Sequence, residues 1–84
     1  MHIYFSDKFT EKEADDIMRA EHPEDIMLGM QKVKLALGFE ESLRIRESLI
    51  DLCDAVYMAE GWECNRIDCL EYGYASGTDK MIIQ

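Results

Sequence analysis

Leu52-Cys53-Asp54-Ala55-Val56-Tyr57-Met58, followed by Ala59-Glu60-Gly61-Trp62-Glu63, decides the class of fold. Ala55 to Met58 is a short apolar run between polar bounds, the pattern of a strand buried on both faces. Ala59 to Glu63 contains a glycine and two acids and reads as a loop. A helix follows over about Asn65 to Ala75 and stops at Ser76-Gly77. Lys80-Met81-Ile82-Ile83 is then a last strand. Strand, loop, helix, strand is one crossover unit of a parallel sheet.

Upstream of that unit, Phe39, Leu43, Leu49, Ile50 and Cys53 can share one face of a helix running from about Phe39 to Leu52. His2-Ile3-Tyr4-Phe5 is rich in β-branched and aromatic residues and is stopped by Ser6-Asp7, so it reads as a strand. Thr10 and Glu13 make a capping box for a helix that ends before Pro23. Pro23-Glu24-Asp25 suits the first turn of a further helix, and Ile26, Met27, Met30, Val33 and Leu37 continue at helical spacing to a stop at Gly38. The expected fold is α/β: a small three-layer, Rossmann-like (flavodoxin-like) domain with a reduced parallel sheet of about three strands and flanking helices. Asp-Ile-Met occurs at Asp16 and again at Asp25, which is too short an echo for a repeat architecture.

The chain of 84 residues allows one domain, 1–84. A core this small is marginal alone, and an open sheet leaves two edges, so a homo-oligomer is expected. Hydrophobic residues at 48% and charged residues at 32% place the chain among globular proteins. The net charge of -9 argues against a nucleic-acid polymer or an anionic membrane surface as partner. It leaves room for a small nucleoside or nucleotide, which needs only a local set of donors. Three cysteines (Cys53, Cys64, Cys69), no basic leader and no apolar run of membrane-spanning length point to a reducing cytoplasm and away from a disulfide framework.

Ligands of open α/β sheets bind beyond the carboxyl ends of the strands. Ser6-Asp7 and Ala59 to Asn65 sit there, the latter leading into a helix N-terminus. Glu71 stands out, because Ile67, Leu70, Glu71 and Tyr74 lie at i, i+3, i+4 and i+7. The pattern leaves three readings for its carboxylate: paired, at the solvent edge of the core, or poised in a pocket with a raised pKa. Pattern alone favours the edge. Asn65 and Asp68 read as a cap and its N3 partner, and Asp54 as a polar strand boundary. Trp62 suits either packing over the sheet end or stacking on a base. The methionines Met18, Met27 and Met30 read as core filler. Cys64 and Cys69, five residues apart with no second pair, do not form a zinc motif, and no P-loop, dinucleotide fingerprint or serine elbow is present, so neither metal nor cofactor is expected.

Leu52 to Met58, Gly61-Trp62-Glu63 and Leu70-Glu71-Tyr72-Gly73-Tyr74-Ala75 together resemble the nucleoside 2-deoxyribosyltransferase-like superfamily, in particular the small bacterial and phage proteins of the DUF4406 family. The likeness covers Ser48 to Gln84 well and Ile3-Tyr4-Phe5-Ser6 weakly. It implies that Glu71 attacks the anomeric carbon of a deoxyribose, forming a glycosyl-enzyme that a second base or water resolves. It also implies that Asp54 places the sugar or base, and that Ser6, Asp7, Gly61, Trp62 and Asn65 contact substrate. Asn65 stands where the superfamily carries an aspartate; asparagine hydrogen-bonds a base but cannot protonate it. Asp68, one turn from Glu71, would raise a carboxyl pKa as a like charge. The superfamily's second strand has no counterpart apparent between Thr10 and Phe39. Three functions remain: an N-glycosidase-like or deoxyribosyltransferase-like enzyme, an inactive module that binds a nucleotide or ADP-ribose-like ligand, and an interaction protein with an acidic surface.

Overall fold

The computed structural model describes residues 1–84. Its elements are β1 (His2–Phe5), α1 (Glu11–Glu21), β2 (Ile26–Leu28), α2 (Phe39–Asp51), β3 (Ala55–Tyr57), α3 (Arg66–Gly77) and β4 (Met81–Ile83). Single 3-10 turns lie at Met30–Lys32 and Trp62–Cys64. The four strands form one sheet in the order β2-β1-β3-β4, every pair parallel.

Alternation along β1 separates two cores. Ile3 and Phe5 join Ala14 and Met18 of α1 together with Ala55. Tyr4 points the other way, to Val56, Ile50 of α2 and Ala75 of α3. The molecule therefore has three layers, α1 on one face of the sheet and α2 with α3 on the other. The expected α/β three-layer class is the observed one.

The sheet has four strands where about three were expected, and the extra one replaces a helix. The segment after Pro23 is not helical: Ile26-Met27-Leu28 is β2, paired with His2-Ile3-Tyr4. The Ile26 N–H donates to the Met1 carbonyl at 2.9 Å, and the Met1 ammonium binds Asp25 at 2.6 Å. These bonds come from residues more than twenty positions away, so helical spacing within the segment could not reveal them. β2 lies between Thr10 and Phe39, where the sequence pattern predicts no strand. The methionine stripe dissolves with the helix: Met18 is buried and Met27 packs on the α1-side core from a strand.

Elsewhere local signals and structure agree. Thr10 and Glu13 form the full capping box of α1. α2 starts at Phe39 and ends one residue before Leu52. Phe39, placed on the buried face of α2 by its spacing, is instead exposed and sits beneath the Arg66 guanidinium, 5.5 Å from the ring centre. No helix is long and apolar enough to cross a membrane.

Candidate functional site

β1 and β3 are neighbours, yet the chain leaves β1 for α1 on one face and leaves β3 for α3 on the other. The crevice between their carboxyl ends is the switch point of the sheet, where ligands of this class of fold bind. Two loops meet there. Ser6, fully buried, accepts the Ala59 N–H on its Oγ at 3.0 Å and so ties the loop after β1 to the loop after β3. Gln31, from the 3-10 turn, braces the first loop by donating to the carbonyls of Ser6 (2.9 Å) and Phe9 (3.1 Å).

α3 delivers two carboxylates to the first loop. Its N-cap is Asn65, whose Oδ1 accepts the Asp68 N–H at 3.0 Å. The next turns bury Asp68, Glu71 and Ala75, while Leu70 remains exposed. The buried stripe is thus turned away from the one expected through Leu70 and Tyr74, and Glu71 lies at its centre, not at its solvent edge. Polar residues hold these positions because the loop presents backbone donors to them. The Asp7 N–H donates to Glu71 Oε1 at 2.8 Å and the adjacent Lys8 N–H to Asp68 Oδ1 at 3.1 Å. Asp68 is therefore more than a partner of the cap.

Glu71 Oε2 receives the Tyr4 hydroxyl and Arg46 Nη1, the latter at 3.0 Å. Arg46 Nη1 also donates to Asp7 Oδ1 at 2.8 Å. The result is a four-residue network of Tyr4, Asp7, Arg46 and Glu71 in which Glu71 is 2% exposed. Burial pushes the Glu71 carboxyl up to about 7; Tyr4, the Asp7 N–H and Arg46 oppose that rise. The cause is burial, where a like charge on Asp68 was the expected one. Burial, then the Glu71 carboxylate, raise the Tyr4 hydroxyl far above its ordinary range, so Tyr4 stays a donor. Burial alone would lower Arg46, but Asp7 and Glu71 outweigh it and hold the guanidinium charged.

Arg46 and Glu71 face a hollow of about 120 Å³ between α2 and α3, walled by Leu43, Ile50, Leu70 and Tyr74. A larger cleft of about 460 Å³ opens at the carboxyl ends of β3 and β4, against Phe9, Ile17, Tyr57, Gly61 and Trp62. The two share no lining residue.

Of the residues expected at a site, Ser6, Asp7 and Glu71 come together at the switch point. Gly61 and Trp62 line the larger cleft. Gly61 holds φ at 78°, which favours glycine, and Trp62 stacks on Tyr72 with ring centres 4.3 Å apart. Asn65 spends its Oδ1 on the helix cap. Asp54 is not brought to the others: it precedes β3, at the amino edge of the sheet, where its carboxylate accepts the His2 N–H at 2.9 Å. Tyr4 and Arg46 were not singled out from sequence. A signal for Arg46 exists, since Leu43, Arg46 and Ile50 fall at i, i+3 and i+7 of α2. An arginine on one apolar stripe and a glutamate on another make a candidate buried pair.

No curated protein matches the chain. Residues 5–84 match a family described as a domain of unknown function, DUF4406, and with nearly its whole length inside that match the chain belongs to the DUF4406 family.

Proposed function

We propose that the protein is an N-glycosidase-like or 2-deoxyribosyltransferase-like enzyme acting on nucleosides or nucleotides, with Glu71 as its nucleophile. The observation that carries this reading is the Glu71 carboxylate, buried at the switch point and held by three donors. A carboxylate oxygen attacks the anomeric carbon as the glycosidic C–N bond breaks, and the base departs with the bonding pair and takes up a proton from water. Water or a second base then displaces the carboxylate from the same carbon, so configuration is retained overall. Tyr4, Arg46 and the Asp7 N–H fix the carboxylate in one orientation before reaction, which removes reorganisation from the chemical step. Ser6 keeps the two loops around it in register. Substrate access displaces a neighbour of Glu71, and self-association along the open edges β2 or β4, which carry exposed Ile26 and Met81, is part of the proposal.

A second reading is favoured by the Arg46 ion pairs. A carboxylate already matched by a largely enclosed guanidinium is also what a purely structural network contains. The protein is then an inactive module that binds a nucleotide-like ligand without turnover. Chromatographic detection of free base from 2′-deoxynucleosides and their 5′-monophosphates separates the two. Release by the wild type that is absent in Glu71→Gln supports the enzyme. No release from any substrate rejects it, and calorimetric binding without release supports the second reading.

A further inference from the structure

Glu71 does not line the larger cleft, whereas Gly61 and Trp62, expected at the substrate site, do. The cleft exists because one helix, α1, covers a face four strands wide. The carboxyl ends of β3 and β4 are left open between Ile17 of α1 and the loop Glu60–Glu63. Its walls combine two chemistries. Phe9, Tyr57 and Trp62 supply aromatic rings, braced from behind: Tyr57 stacks on Phe5 at 5.1 Å, Phe9 meets Tyr57 edge-on at 5.7 Å, and Trp62 rests on Tyr72. Glu60 and Glu63 supply carboxylates, both exposed. No Lys, Arg or His lines the cleft. Lys8 reaches the same loop, where its ammonium is bound to the Glu60 carbonyl at 2.9 Å. Glu21 adds a third carboxylate beside the cleft, accepting the Tyr57 hydroxyl at 3.2 Å.

We propose that this cleft is a binding site for a small organic cation carrying an aromatic ring, of the arylalkylammonium class. The ring lies among Phe9, Tyr57 and Trp62, and the ammonium faces Glu60 and Glu63. The aromatic walls favour an aryl group. The carboxylates of Glu21, Glu60 and Glu63 outnumber the one ammonium, that of Lys8, which lies against the same loop, so a cation is favoured over an anion. The volume of about 460 Å³ holds a molecule of that size. The site is independent of the Glu71 reading and stands or falls separately.

Trp62 is the one tryptophan of the chain, so its fluorescence reports on the cleft directly. The protein is titrated with benzylammonium, benzyl alcohol and benzoate, which share a ring and differ in charge. The expected result is a saturable change with benzylammonium, weakened by salt, with benzyl alcohol at least several-fold weaker and benzoate not binding. Glu60→Gln/Glu63→Gln, checked for native circular dichroism, is expected to bind benzylammonium roughly tenfold more weakly, as loss of two partly screened charges implies. Glu71→Gln binds it unchanged, which separates this site from the proposed catalytic one. Equal binding of benzoate and benzylammonium, undiminished binding by the double variant, or no binding of benzylammonium at millimolar concentration each overturns the proposal.

Discussion

Glu71 accepts the backbone N–H of Asp7 at 2.8 Å across 64 residues of chain. That bond joins α3 to the loop after β1, and with the Lys8–Asp68 bond it gives two consecutive loop amides a pair of carboxylates one helical turn apart. Loop and helix are therefore a single polar unit, so changes to Glu71 or its partners act on stability and on the proposed chemistry together.

The Glu71 carboxyl sits at about 7 in the folded protein against an ordinary 4.5. The folded state then holds a proton that the unfolded chain releases between those values. The resulting stabilisation is complete below about pH 4.5 and is lost as pH rises through about 7. Its full size is on the order of 3 kcal/mol. Urea denaturation at pH 5 and pH 8 is expected to show wild type losing stability relative to Glu71→Gln as pH rises. A constant difference between the two proteins would contradict the burial-driven shift. If Glu71 is the nucleophile, kcat/KM rises with pH through an acid limb near 7, because only the ionised form attacks.

Tyr4→Phe removes a donor to Glu71 Oε2 and leaves the ring in its place in the core. A hydrogen bond to a charged group contributes about 1.5–3 kcal/mol. The expected loss is near the lower figure at pH 8 and smaller at pH 5, where Glu71 is protonated. Paired denaturation curves at the two pH values measure it. The acid limb of any glycosidase activity moves upward in the same variant.

Arg46→Met keeps an unbranched apolar stem and removes the guanidinium shared by Asp7 and Glu71. Breaking a buried pair from one side costs about 3–5 kcal/mol. Arg46 is 11% exposed, so we expect about 2 kcal/mol at pH 8. The loss shrinks at pH 5, and adding Glu71→Gln restores part of it. A thermal-melt cycle over the two single variants and the double variant reads the coupling.

Ser6→Ala leaves the Ala59 N–H, which it serves at 3.0 Å, without a partner at the crevice. Orphaning a buried donor costs about 1–3 kcal/mol. Amide exchange at Ala59 is expected to quicken well beyond the global change in stability. Unchanged protection there would mean that the two loops are held together by other contacts.

Where a signal is local, it survives folding. The capping box of Thr10 and Glu13, the boundaries of α2 and the start of α3 rest on interactions within a few residues and appear in the structure at the expected place. α3 itself runs through Ser76 and Gly77, where it was expected to stop. The apolar run at Ala55 is a strand, as its composition suggests. Ile26-Met27-Leu28 had no such signal of its own. Its spacing with Met30, Val33 and Leu37 mimicked a helix, and its pairing partners lie in β1. The site divides in the same way. Glu71 stood out from its position beside an apolar stripe, and Ser6 and Asp7 from following a strand. The burial of Glu71 depended on a tyrosine 67 residues away and an arginine on another helix.

By itself the sequence determined the α/β class, the order of most elements, the acidic surface and the candidacy of Glu71, since these follow from composition, caps and short-range periodicity. Only the tertiary structure decided that a fourth strand completes the sheet, that Asp54 lies at its far edge, and that Tyr4, Asp7 and Arg46 converge on Glu71. Those outcomes depend on which distant donors and acceptors meet once water is excluded, and a carboxylate is tolerated inside a core only where such partners arrive together.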